Sequence, residues 1–181
     1  MRDLLINDAR IDSFGIGEKL ITSATNPVLG GVYKLVAVNK NGEYIPKIKI
    51  SESFEKITIP YKKQVWRIYS NHTGKAQADY LTMWDEDPSN LNEITIISPL
   101  EPWKKQTLVD ITIKPLLVQV FEKGKRVYAG PSLREIRDYA MQQLDTLWDE
   151  LKRLEYPHKY YVDLSDKLWA AQRKLLEEHH G

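Results

Sequence analysis

Ile11-Asp12-Ser13-Phe14-Gly15-Ile16-Gly17-Glu18-Lys19-Leu20-Ile21 is the stretch on which the fold turns. Residues 10–16 read as an apolar strand, Gly15 and Gly17 stand one residue apart, and a turn of helix begins at Glu18. That order leaves main-chain N–H groups pointing out of a positive helix end with no Cβ in front of them. A phosphate suits such a place, although a lone Gly-x-Gly also serves ordinary tight turns. Asn7-Asp8 marks a break before the strand, so the chain opens as helix end, strand and helix start. One strand makes no sheet. Its neighbours must come from elsewhere in this chain or from another chain.

Working outward, the 181 residues suffice for one domain or two small ones around a real core. Hydrophobic residues at 42% and charged residues at 28% fit a soluble globular protein. No apolar run is long enough to cross a bilayer. Met1-Arg2-Asp3-Leu4 turns acidic before any signal-peptide core develops, so the expected address is the cytoplasm, without a membrane. The absence of cysteine excludes disulfides, thiolate zinc sites and thiol catalysis, and no metal site is expected. Net charge is +1, but residues 30–75 carry +6 and residues 76–102 carry −6. Two solvated faces of a sheet account for most of this. The lysines nearest the glycine turn read instead as a basic surface toward a polyanionic small molecule.

After Gly31 the pattern becomes β-rich. Val32 to Val38 is a half-buried strand, Asn41-Gly42 is a strong hairpin signal, and Tyr44 to Ile50 is the return strand. A second pair is Gln64–Tyr69 with Ala78–Trp84, turning through Asn71-His72-Thr73-Gly74-Lys75. A third surrounds Glu122-Lys123-Gly124-Lys125, while Asp85–Asn92 and Ser98–Lys105 read as loops. Ser132-Leu133-Arg134-Glu135 is a capping box. Leu133, Ile136, Ala140, Leu144, Leu147, Leu151 and Leu154 then form one apolar stripe of a helix that Pro157 forbids to continue. A second helix starts near Ser165. The expectation is an α+β chain in three regions: 1–24 with the glycine turn, a mainly antiparallel 25–130, and a helical 131–181.

Phe14-Gly15-Ile16-Gly17 and the downstream Gly30-Gly31-Val32-Tyr33-Lys34-Leu35 together resemble the bacterial nicotinate phosphoribosyltransferase family, in which a Phe-Gly-x-Gly turn precedes Gly-Gly-Val-Tyr-Lys-Leu. Pro46-Lys47-Ile48-Lys49-Ile50-Ser51, Glu55-Lys56-Ile57-Thr58-Ile59-Pro60 and the run from Glu155 to Ser165 also match the family's pattern. The likeness runs from Leu4 to about Leu176 and covers only the carboxyl-terminal part of a longer protein. It implies that residues 1–24 are the terminal strand and helix of a type II phosphoribosyltransferase α/β barrel. It also implies a part in ATP-coupled formation of nicotinate mononucleotide from nicotinate and phosphoribosyl pyrophosphate, with ATP and Mg2+ used by the full-length enzyme.

Carried over by position, Gly15, Gly17 and the N–H of Glu18 would hold the substrate's phosphate. Lys34 and Lys49 would reach anionic substrate, Lys34 at a dimer interface. Other basic residues, among them Lys62, Lys63 and Arg67, read as surface charges of the β region. Tyr61 stands where the family has glycine after proline, so a turn of different shape is expected there. His72, His158, His179 and His180 lie outside the family's phosphohistidine context, and its Arg-x-Asp-Ser-Gly segment is missing. No catalytic residue is assigned. The resemblance thus implies a chain inactive alone, completed as a homodimer or by an amino-terminal half. Two alternatives are a non-catalytic interaction module and a β-rich nucleic-acid binder using Tyr61, Trp66 and Tyr69. The acidic stretch argues against the second, so no nucleic acid is expected.

Overall fold

The computed structural model describes residues 2–28, 30–53, 56–99, 101 and 103–179. Met1, Leu29, Phe54, Glu55, Leu100, Pro102, His180 and Gly181 lie outside the described residues. The chain divides into two units, Met1–Lys34 and Leu35–Gly181, and its class is α+β.

Among the described residues of the first unit two short helices form, α1 (Arg2–Ile6) and α2 (Glu18–Ile21), and neither buries a residue. The strand expected over 10–16 is absent because no described residue offers it a ladder partner. An unpaired strand leaves its main-chain N–H and C=O groups unsatisfied by the chain. The strand expected from Val32 likewise begins only at Ala37. Before that point Tyr33 is 98% exposed and Val32 81%, with nothing to pack on.

The second unit opens with the hairpin of β1 (Ala37–Lys40) and β2 (Glu43–Pro46). Asn41 and Gly42 both take positive φ, +54° and +91°, the two-residue turn whose twist matches a hairpin. A six-stranded sheet follows, ordered β6-β5-β10-β4-β3-β7. Its members are β3 (Lys63–Ser70), β4 (Ala76–Met83), β5 (Glu93–Ile97), β6 (Lys105–Val109), β7 (Ile111–Pro115) and β10 (Val162–Leu164). All neighbours are antiparallel except β10 and β4. A small hairpin, β8 (Phe121–Glu122) with β9 (Lys125–Arg126), lies where the third one is expected.

β6 and β7 stand at opposite ends of this order, yet one residue separates them. The sheet therefore rolls until its two edges meet at Asp110. That residue takes φ +50°, and the kink resets the alternation, so that Leu108 before it and Ile111 and Ile113 after it all face inward. Asn71 fastens the corner: its N–H donates to Asp110 O at 2.9 Å, its Nδ2 donates to Asp110 Oδ1 at 3.0 Å, and its Oδ1 accepts from Thr112 Oγ1 at 2.6 Å. Trp66, Ile68, Ala78, Tyr80, Ile94 and Ile96 complete the inner core. Trp66 Nε1 donates to Thr82 Oγ1 at 2.9 Å, which satisfies the indole inside it.

Helix α3 (Leu133–Asp145) has the expected capping box, with Ser132 Oγ accepting from Glu135 N and Glu135 Oε2 accepting from Ser132 N. It ends nine residues before Leu154. Lys75 Nζ, on the β3–β4 turn, donates to Asp145 O at 2.7 Å and Leu147 O at 3.2 Å, and Ala76 N donates to Thr146 O. The ammonium of a lysine remote in sequence thus collects the last carbonyls and stops the helix where the apolar stripe alone would extend it. Helix α4 (Asp166–His179) buries Leu168 and Gln172. Among the described residues no helix is long and apolar enough to cross a membrane.

Candidate functional site

In the first unit Gly17 caps α2 with φ −94° and ψ −158° and offers no side-chain hydrogen bond. The helix is held from its far end, where Thr22 N and Thr22 Oγ1 both donate to Glu18 O at 2.8 Å and Ala24 N donates to Lys19 O at 3.0 Å. The amides of Gly17, Glu18 and Lys19 have no partner among the described residues, as the first turn of any helix requires. Neither Gly15 nor Gly17 takes a positive φ, and a Cβ on either would meet nothing within 4 Å. Nothing in the packing of the described residues demands glycine at these two positions. What remains is open space in front of unpaired donors, the geometry an oxyanion can use.

Lys34 also belongs to the first unit and is half-buried; Lys49 belongs to the second and is exposed. Lys49 is fixed through its main chain, its N–H donating to Thr58 Oγ1 at 2.8 Å and its carbonyl accepting from Thr58 N at 3.3 Å. Thr58 O in turn accepts from Gln172 Nε2 of α4 at 3.3 Å. The ammonium of Lys49 therefore projects from a backbone pinned to the helix. Tyr61 takes φ +70°, the region glycine favours. Lys63 Nζ holds the turn by donating to the carbonyls of Ile59, Pro60 and Tyr61 at 2.7, 3.2 and 2.7 Å. Burial pushes Lys63 down to about 8.

Arg67 is not a surface charge. Its Nε and Nη2 grip Asp79 Oδ1 and Oδ2 at 2.7 and 3.0 Å, and Nη1 donates to Gln143 Oε1 at 3.2 Å. Tyr160 Oη donates to Asp79 Oδ1 at 3.0 Å. The hydrogen bond to Asp79 holds Arg67 above its already high range, and burial followed by the Asp79 charge pushes Tyr160 up, so its phenol stays a donor. This network floors a cavity of about 610 Å3 whose walls include Ala140, Leu144, Leu147 and Leu151. Arg67 and Asp79 are cross-strand partners on the outer face of β3 and β4. The signal was present as an Arg and an Asp at alternating positions of two strands, but the register that pairs them is not visible in sequence.

The fold is similar to that of a solved structure, the human nicotinic acid phosphoribosyltransferase, at TM-score 0.69 and 31% identity, over 82% of this chain and 27% of that one. Residues 62–172, more than half of the chain, match the family described as the nicotinate phosphoribosyltransferase C-terminal domain. Among curated relatives, the nicotinate phosphoribosyltransferase of Bacillus subtilis is 35% identical over 97% of this chain and 36% of its own length. That of Dictyostelium discoideum is 32% identical over 91% of this chain and 28% of its own. The chain belongs to the nicotinate phosphoribosyltransferase family. It spans about a third of the length of the curated relatives it matches.

Proposed function

We propose that this chain acts as the carboxyl-terminal part of a nicotinate phosphoribosyltransferase, serving the ATP-coupled conversion of nicotinate and phosphoribosyl pyrophosphate to nicotinate mononucleotide in NAD salvage. Residues 10–21 would be the last strand and helix start of the enzyme's α/β barrel, with partner strands supplied by an amino-terminal part. Gly15, Gly17 and the amide of Glu18 would bind the phosphate that substrate and product share. Lys34 and Lys49 would contribute positive charge toward anionic substrate, Lys34 across a homodimer interface in the cytoplasm. The observation that carries this reading is the pair of uncrowded glycines before three unpartnered amides. Among the described residues no group of three or more His, Asp or Glu could hold a metal. Mg2+ in such a reaction would be shared between the substrate's phosphate oxygens and one or two carboxylates. What these residues do is bind and orient, which for a phosphoribosyl transfer is a large part of the barrier.

A Cβ at position 17 meets nothing in the chain, so Gly17→Val should leave the thermal midpoint within about 1 °C while obstructing the anion's approach. With the chain completed by the amino-terminal part of a family member, the expected result is at least tenfold weaker binding of nicotinate mononucleotide in isothermal titration, set against wild type. Equal affinity in both proteins would overturn the assignment of the turn.

A further inference from the structure

The acidic stretch that follows the β3–β4 turn has a three-dimensional counterpart that the phosphoribosyl chemistry does not use. A cavity of about 400 Å3 opens at one end of the rolled sheet, and its lining includes Glu86, Asp87, Glu93 and Asp166 with no basic side chain among them. Among the described residues none of these four carboxylates is in an ion pair. Glu86 is held in place, its Oε2 accepting from Met83 N and Ser165 Oγ, each at 2.8 Å. Asp87 is fixed by Ser89 N at 2.9 Å.

Tyr80 lines the same cavity and is only 6% exposed, yet its hydroxyl has no hydrogen-bond partner among the described residues. No fully buried side-chain polar atom among them lacks a partner, so this hydroxyl must reach the cavity surface. Burial, reinforced by Glu86 and Asp166, pushes Tyr80 up, which keeps it a phenol rather than a phenolate. A buried phenol beside four unpaired carboxylates offers one lone-pair acceptor and a strong negative field at the same place. The carboxylates are too dispersed to share a metal ion. Separated charges of one sign suit a ligand that carries ammonium groups along a flexible aliphatic chain.

We infer that this cavity is a binding site for primary ammonium groups, with the Tyr80 hydroxyl accepting a hydrogen bond from the innermost ammonium and Glu86, Asp87, Glu93 and Asp166 neutralising its charge. The site is independent of the glycine turn, so it stands or falls separately from the catalytic reading. Such groups are presented by polyamines and by lysine side chains of a polypeptide, and the same carboxylates serve either. Spermidine and pentalysine titrated into the purified chain at low ionic strength distinguish the two, the tighter binder naming the source. Tyr80→Phe tests the phenol, and Glu93→Gln combined with Asp166→Asn tests the field at two exposed positions, with thermal melts showing that each variant folds. The expected result is a single site that both variants weaken, the double substitution by about tenfold or more, as two lost charge-assisted contacts imply. Absence of saturable binding of either probe overturns the proposal. So does weakening by only one of the two variants, since charge screening alone would ignore the phenol and a fortuitous phenol contact would ignore the charge.

Discussion

Two residues show how single positions carry cost or purpose. Tyr156 takes φ +47° while 92% exposed, so its ring gains nothing from a backbone conformation that costs an ordinary residue about 1–2 kcal/mol. Asparagine tolerates the left-handed region far better than a bulky aromatic residue. Tyr156→Asn should therefore raise the thermal midpoint by about 2–4 °C, read by circular dichroism. Asp163 is the opposite case, 7% exposed on β10 with no hydrogen bond to its carboxylate among the described residues. Burial raises it above the usual 3.8, partly countered by the charge of Lys159. With the folded value above the unfolded one, its contribution to stability is complete below 3.8 and is lost as pH rises through the folded value. At neutral pH the ionised group is a net cost. Asp163→Asn should raise the urea midpoint at pH 7 and change it little at pH 3; an equal shift at both would mean that packing, not charge, sets the effect.

At the level of elements, the corner between β6 and β7 is the place where the sheet's closure can be tested. Asn71 makes three hydrogen bonds there with Asp110 and Thr112, two of them from its side chain. Asn71→Ala should cost about 1–2 kcal/mol in urea unfolding, with protection from hydrogen exchange lost first at Ile111 and Ile113. What sequence reveals and what it hides divide along the same lines. The hairpin at Asn41-Gly42 and the start of α3 were legible because Gly42, Ser132 and Glu135 act through neighbours within three residues. Strands β5, β6, β7 and β10 were not. Residues 105–115 read Lys-Gln-Thr-Leu-Val-Asp-Ile-Thr-Ile-Lys-Pro, where the shift of alternation at Asp110 hides two strands behind one kink. β10 has three residues and is a strand only because β4 and β5 flank it. The end of α3 depends on Lys75, 70 residues away. The candidate site divides similarly: the helix start after Gly17 is local and readable, though the strand expected before it does not form, while the Arg67–Asp79–Tyr160 network exists only once the register and β10 are in place.

At the scale of the molecule, burial is distributed unevenly, and this bears on activity. The second unit encloses its core in the rolled sheet, whereas neither helix of the first unit buries any residue. Leu20, Ile21, Val28 and Val32 are all more than 60% exposed. A segment with so little apolar burial has little to offset the entropy of ordering. It gains that burial only from a surface that packs on it, and the unpaired backbone over 10–16 asks for the same surface to supply strands. The family's relatives, about three times the length of the match, provide a source in their amino-terminal part. Purified chain given nicotinate, phosphoribosyl pyrophosphate, ATP and Mg2+ should therefore show no steady turnover, and limited proteolysis should cut within residues 10–34 before any part of the sheet. Adding the amino-terminal part of a family member should protect that segment and restore product formation together. Steady turnover by the chain alone would overturn the reading.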